Sequence, residues 1–223
     1  MVRQSERSEH YESAILTLRE LKATFGCSCS RSQLAADERY PGYCRDGALE
    51  PDAPLGLRLR VDPGAVIFTD RIQGRFRQDV AATVGDLLLR RRDGLFAYLL
   101  AVVVDDAAQH ITHVVRGADL LDNTPRQMLL QRLLGFGPPA YAHLPVLVEA
   151  NGDKLAKARR SVPVAAQELM PTLMHVFRLL ELEPPRELED GSLSEAWRWA
   201  VHHWRIERIP RRLTLSADGH QAV

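Results

Sequence analysis

Two of the chain's three lysines stand in one tetrapeptide, Lys154-Leu155-Ala156-Lys157, whereas arginine occurs twenty-six times. In a chain that so strongly favours arginine, a lysine pair suggests a task for a compact, mobile point charge rather than a rigid fork. On a loop, such an ammonium can follow a phosphate through a transition state. Two solvated lysines in a Gly-Asp-Lys turn are the plain alternative.

Cys27-x-Cys29, then Tyr40 and Cys44, form a second constellation. The three thiols fall in an irregular stretch, 26–54, punctuated by Gly26, Pro41, Gly42, Pro51 and Pro54. A loop with so little core of its own needs a staple or a partner, and thiols at this spacing suggest a structural Zn2+. Three sulfurs leave a tetrahedral site one ligand short. No histidine lies between 11 and 109. The fourth ligand is then a distant histidine, a water, an acid such as Asp37 or Glu38, or a tyrosine. Three ordinary reduced cysteines would also satisfy the spacing.

Arg116-Gly117 follows an apolar run and precedes Thr124-Pro125-Arg126-Gln127. An arginine at a strand end can meet a carboxylate or phosphate bidentately, and a helix start nearby favours anions. A structural salt bridge is the competing reading. Tyr98 is expected inside an apolar strand, where its hydroxyl needs a partner if buried. A substrate polar group would serve, as would a core neighbour. Trp197, Trp199, Trp204, His202 and His203 read as packing on a C-terminal helix.

The elements that must position these residues follow from periodicity. Residues 5–24 read as a helix with an apolar stripe of Tyr11, Ile15, Leu16, Leu18 and Leu21. Leu57, Leu59 and Val61 alternate with Arg58, Arg60 and Asp62, as in a half-buried strand. Val66–Phe68 reads as a strand, followed by the basic segment 71–77. Residues 84–89 read as a strand or short helix, 90–94 as a turn, and 96–104 as a buried strand or helical turn. Ile111–Val115 reads as a strand. Thr124 is expected to cap a helix with Pro125 at N1 and Gln127 closing a capping box. Residues 141–148 read as a strand, and 164–181 and 192–206 as helices. Together these suggest an α/β sheet with Asp105, Arg116 and the lysine loop converging at strand ends.

Composition is ordinary for a globular chain, with 45% apolar and 26% charged residues and a formal net charge of zero. No global basic field argues for nucleic acid, and a local patch is still permitted. No apolar stretch is long enough for a transmembrane helix, and the polar N-terminus is not a secretory signal. Three cysteines do not suggest a disulfide framework and fit a reducing cytoplasm.

Several separated motifs resemble the class I glutamyl-tRNA synthetases. They are Val115-Arg116-Gly117-Ala118-Asp119 with Asn123-Thr124-Pro125-Arg126-Gln127, then Tyr141-Ala142-His143-Leu144-Pro145, then Lys154-Leu155-Ala156-Lys157. The last is similar to the Lys-Met/Leu-Ser-Lys signature. The Cys27, Cys29, Tyr40, Cys44 set, Asp70–Asp79 and Arg90–Tyr98 resemble the glutamyl-queuosine tRNA(Asp) synthetase branch, which lacks an anticodon-binding domain.

The resemblance implies a Rossmann-type α/β catalytic core, N-terminally incomplete, with a zinc-bearing insertion and a C-terminal helical part. Residues 1–68 would hold the first helix and the insertion, 69–163 the second half of the core with the lysine loop, and 164–223 the helical segment. It implies a ligase that activates glutamate with ATP and Mg2+, then transfers it to queuosine in the tRNA(Asp) anticodon. Tyr98 and Arg116 would bind glutamate. Lys157, with Lys154, would act on ATP, and Cys27, Cys29, Tyr40 and Cys44 would hold one structural zinc. A cytoplasmic monomer is expected. The family's opening strand and His-Ile-Gly-His-like signature have no counterpart before Val2, so the chain looks like a member lacking some seventy residues. An inactive zinc-binding remnant and a fragment of a glutamyl-tRNA synthetase are the alternative readings. Ala156 stands where the family has serine, which removes one hydroxyl donor.

Overall fold

In the computed structural model the helix expected at the start is Ser8–Glu20 (α1), preceded by a 3-10 turn at Gln4–Glu6. Tyr11, Ile15 and Leu18 are buried, whereas Leu16 and Leu21 are exposed. The helix ends with Lys22 in the left-handed region at φ 53°. Ala23 N–H then reaches back to Leu18 O at 3.0 Å, a Schellman closure. The structure describes residues 2–30, 32–34, 39–149 and 168–216.

The described contacts gather into two compact units. The first comprises 1–68, 75–114 and 122–140, and the second 69–74, 115–121 and 141–223. The stretch 69–163 thus contributes to both.

In the first unit, strands Thr24–Cys27 (β1), Gly56–Leu59 (β2) and Leu87–Arg90 (β5) form an antiparallel sheet in the order β1-β2-β5. Thr24 pairs with Leu59 and Cys27 with Gly56, so the register delivers Cys27 to the start of the thiol loop. Ala65–Asp70 (β3) and Gly74–Asp79 (β4) pair as a hairpin whose tip, 69–74, belongs to the second unit. Asp79 caps the short helix Val80–Thr83 (α2) by accepting from Ala82 N–H at 3.0 Å. Helices Tyr98–Ala108 (α3) and Asn123–Leu133 (α4) complete the unit. α1 packs on α3, and α3 on α4 and β5, around Ile15, Leu18, Leu59, Leu89, Leu100 and Leu130.

Three expectations need correction here. Tyr98 does not sit in a strand: it is the first residue of α3 and 56% exposed. The valine-rich run is helical because Leu100, Val103 and Val104 fall on one buried face, and that packing overrides β propensity. Asp105 accordingly lies on a helix and not at a strand end. Tyr11 Oη donates to Asp105 Oδ2 at 2.9 Å, Gln4 Nε2 at 3.1 Å, and Arg7 Nε pairs with Oδ1 at 2.5 Å. Asp105 is therefore a clamp between α1 and α3. Thr124 does not cap α4. A 3-10 turn, Ala118–Leu120, runs into the helix, and the N-cap Asp122 is itself in αR without a side-chain cap bond. Thr124 is fully buried inside the first turn.

β2 also departs from alternation, since all four of its residues are buried. Arg58 points inward, its guanidinium carbon 3.8 Å above the Tyr40 ring, and its Nη1 donates to Asp86 O at 2.8 Å. An aromatic face and a carbonyl replace the water it would otherwise meet.

His113–Gly117 (β6) pairs with Ala140–Leu144 (β7), both mostly in the second unit, where Val146–Val148 (β8) also lies parallel to Thr214–Ser216 (β9). Pro145 divides the strand expected at 141–148. Ile72, Ala142 and Ile209 form one buried cluster. Leu169–Leu179 (α5) and Leu193–His203 (α6) form another around Met174, Phe177 and Ala196. Ser192 caps α6 through a capping box with Glu195. Trp199 packs on this cluster and stacks on His203 at 4.4 Å, while Trp197 meets Phe177 edge-on though it is largely exposed.

Candidate active site and metal centre

The thiol loop folds into a buried clasp. Cys27, Cys29 and Cys44 lie with their sulfurs within 4.8 Å of one another, and Tyr40 closes the group. Cys29 Sγ and Cys44 Sγ are 3.6 Å apart, and Cys27 Sγ stands 3.4 Å from Tyr40 Oη. In a tetrahedral site with metal–sulfur bonds of about 2.3 Å, two sulfurs stand about 3.8 Å apart, and a sulfur and an oxygen about 3.5 Å. These two separations match those of tetrahedral ligands, and the three sulfurs are close enough together to share one ion. Asp37 and Glu38, two of the alternative fourth ligands, lie outside the described residues.

Electrostatics distinguish the thiols. Burial raises Cys44, but backbone donors from Leu49 and Ser28 and hydrogen bonds from Cys29 and Ser28 outweigh it and bring the thiol down to about 6. Burial, then hydrogen bonds to Cys44 and Cys27, push Cys29 up to about 12. Burial and the bond to Cys27 likewise raise Tyr40. Of these groups, Cys44 is the one held below its ordinary value. A bound cation supplies the charge that removes the remaining protons.

The clasp is seated from outside its own loop. Tyr40 N–H donates to Val84 O at 2.9 Å. Gly85, at φ 78°, approaches so closely that a Cβ there would lie 2.2 Å from Tyr40 O. Only glycine fits this turn, on both conformational and steric grounds.

Arg116, on β6 in the second unit, is held by a relay. Its Nε donates to His143 Nε2 at 3.0 Å, and His143 Nδ1 bonds Asp70 Oδ2 at 2.6 Å. Because the arginine can only donate, Nε2 is the acceptor and Nδ1 carries the proton toward Asp70. Asp70 Oδ1 accepts from the backbone of Ile72, Gln73 and His143 at 2.8–3.1 Å. Burial would raise the Asp70 carboxyl, but the His143 bond and these three donors hold it below its ordinary value. Arg116 Nη2 also donates to Leu120 O at 3.4 Å. A Cβ on Gly117 would meet Asp119 Oδ1 at 2.5 Å, so the glycine after Arg116 admits that carboxylate. The result is a guanidinium fixed in plane, as bidentate capture of a carboxylate requires.

The structure therefore brings together the four expected metal donors. It places Tyr98 in the first unit and Arg116 in the second. Lys154, Ala156 and Lys157 lie outside the described residues. Sequence reasoning missed Asp70 and His143 as the support of Arg116. Their signal was a polar residue ending one strand and a histidine inside an apolar one.

A three-stranded antiparallel sheet, several two-stranded pairs and surrounding helices define a mixed α/β fold with a buried thiol clasp. That fold is the class I tRNA synthetase catalytic fold. A glutamate-tRNA synthetase from Elizabethkingia anophelis superposes with a TM-score of 0.73 over 96% of this chain, at 20% identity. A glutamate tRNA ligase from Elizabethkingia meningosepticum, solved in complex with its amino acid, gives 0.73 over 99% at 19% identity. The chain spans about half of each, 52%.

The family model described as "tRNA synthetases class I (E and Q), catalytic domain" matches residues 1–172. The chain belongs to this family of ligases. The glutamyl-Q tRNA(Asp) synthetase of Ectopseudomonas mendocina is 48% identical over 217 residues, covering 97% of this chain and 74% of the relative. That of Pseudomonas paraeruginosa is 49% identical over 219 residues, covering 97% and 74%. No described helix is long and apolar enough to cross a membrane.

Proposed function

We propose that the chain serves ATP-dependent activation of glutamate and its transfer to queuosine in the anticodon of tRNA(Asp). The observation that carries this reading is the near-half identity, over almost the whole chain, to relatives named glutamyl-Q tRNA(Asp) synthetases. In the first step a glutamate carboxylate oxygen attacks the α-phosphorus of ATP, the bond to the bridging oxygen breaks, and pyrophosphate leaves. In the second a hydroxyl of the queuosine cyclopentene attacks the acyl carbon, AMP leaves, and the hydroxyl proton passes to solvent.

Arg116 meets a carboxylate of glutamate, and the His143–Asp70 relay keeps its plane fixed so that binding does not have to order it. Tyr98 offers its exposed hydroxyl to the same substrate. Lys157, with Lys154, stabilises charge building on the α-phosphate, where Mg2+ would accompany ATP. The ion in the clasp is a structural Zn2+ held by Cys27, Cys29, Tyr40 and Cys44. All four donors are buried, as a closed structural site requires. The protein works as a cytoplasmic monomer.

The test is glutamate-dependent ATP–pyrophosphate exchange by the purified zinc-loaded chain, followed by glutamate transfer to queuosine-bearing tRNA(Asp). Exchange lost in Lys157→Ala, with transfer to the anticodon and not to the tRNA 3′ end, is the expected result. No exchange from a folded, zinc-loaded chain rejects the reading.

A further inference from the structure

A cleft of about 320 Å³ opens in the first unit beside the metal clasp. Arg39, Arg58 and Arg126 line it, with Asn123 from the first turn of α4 and Leu99 from α3. Tyr98 and Arg116 do not line it. Among the described residues its one carboxylate, Asp86, is already engaged. Arg45 donates to both Asp86 oxygens at 2.6 and 2.7 Å, and Val61 N–H adds a third bond at 2.9 Å.

Among the described residues the three lining guanidiniums have no such partner, and none makes an ion pair. Arg39 Nη1 donates to Ala81 O at 3.3 Å, and Arg58 Nη1 to Asp86 O at 2.8 Å, both neutral acceptors. Arg126 makes no hydrogen bond to a described residue. The Nε atoms of both Arg58 and Arg126 are shut off from water without an acceptor. Arg58 is only 9% exposed. Burial depresses the Arg126 pKa, and the exposed Asp122 offsets this only in part.

Uncompensated cations out of water are costly unless an anion joins them. Three planar forks exceed what one carboxylate can use, whereas a tetrahedral phosphate offers several acceptor edges. α4 adds the favourable end of its dipole, with no side chain capping it. We propose that Arg39, Arg58 and Arg126 form a phosphate-binding site in this cleft, which neither of the glutamate contacts proposed above lines. The phosphate can be a free ion or a phosphodiester of RNA, since both present the same oxygens.

Inorganic phosphate titrated into the purified chain, in phosphate-free buffer at fixed ionic strength, tests this through the 31P line width. Saturable broadening is expected. It should weaken about tenfold or more in Arg126→Gln, the loss expected for a charged hydrogen bond, and also weaken in Arg39→Gln, whose exposed side chain leaves folding intact. A short RNA oligonucleotide without terminal phosphates identifies the source. Binding that inorganic phosphate displaces and Arg126→Gln weakens assigns the site to phosphodiesters, and binding of inorganic phosphate alone assigns it to the free ion. Absence of saturable broadening in the unaltered chain, or equal broadening in both variants, overturns the proposal.

Discussion

His143 illustrates how much a single side chain can fix. It is fully buried, accepts from Arg116 and donates to Asp70, so its tautomer is dictated by its neighbours. In His143→Ala the Arg116 Nε loses its acceptor, at a cost of about 1.5–3 kcal/mol for a bond to a charged group. The expected signature is a raised KM for glutamate with kcat and zinc content less affected. His143→Gln, which retains an acceptor, should recover part of the loss. Steady-state kinetics and metal analysis on the two variants check this.

Asp70 carries a pH dependence of its own. Its folded-state pKa is depressed, so it contributes stability that is fully present above the unfolded value of about 3.9 and is lost as pH falls through the folded one. The urea midpoint should fall on acidification below about pH 4. Asp70→Asn should be less stable at neutral pH and flatter across that window.

Among the elements, the α1–α3 junction depends on a charge rather than on packing alone. Asp105 gathers Gln4, Arg7 and Tyr11 from the start of the chain. Removing it leaves Arg7 buried without its counterion, and Asp105→Ala should cost about 3–5 kcal/mol. α6 offers a smaller test. Ser192→Ala removes the acceptor for Glu195 N–H, and with it about 1 kcal/mol of stability. Thermal or denaturant unfolding measures both.

The helices also show what local sequence could and could not convey. α1 and α6 were legible because their apolar positions recur at helical spacing. α3 was not, because an unbroken apolar run does not distinguish helix from strand, and the choice rests on Leu100, Val103 and Val104 packing as one buried face. The start of α4 misled for a related reason: Thr124-Pro125 is a sound capping signal, but the preceding 3-10 turn had already begun the helix.

For the molecule as a whole, metal should matter to stability more than to chemistry. The clasp lies in a stretch with few regular elements, and its ligands are side by side only when folded. Chelation should lower the melting temperature, and added zinc should restore it, as calorimetry would show. The cluster itself was readable from the spacing of three cysteines. Tyr40 was one candidate among several until the resemblance singled it out, because a phenol is an uncommon ligand and only tertiary placement brings it to Cys27. The division into two units was not readable at all, since each is assembled from separated stretches of chain. Contacts between distant segments leave no periodic trace in sequence.

The seat of Tyr40 has a consequence for how the protein is made. Gly85 lies well downstream of Cys44, so all four donors are synthesised before the turn that accepts the Tyr40 backbone. An ion that meets the nascent chain at that stage encounters three thiols and an unplaced phenol. Capture is then a property of the cysteine loop, whereas retention belongs to the finished fold. A Gly85→Ala chain should accordingly take up its ion during biosynthesis and lose it readily afterwards.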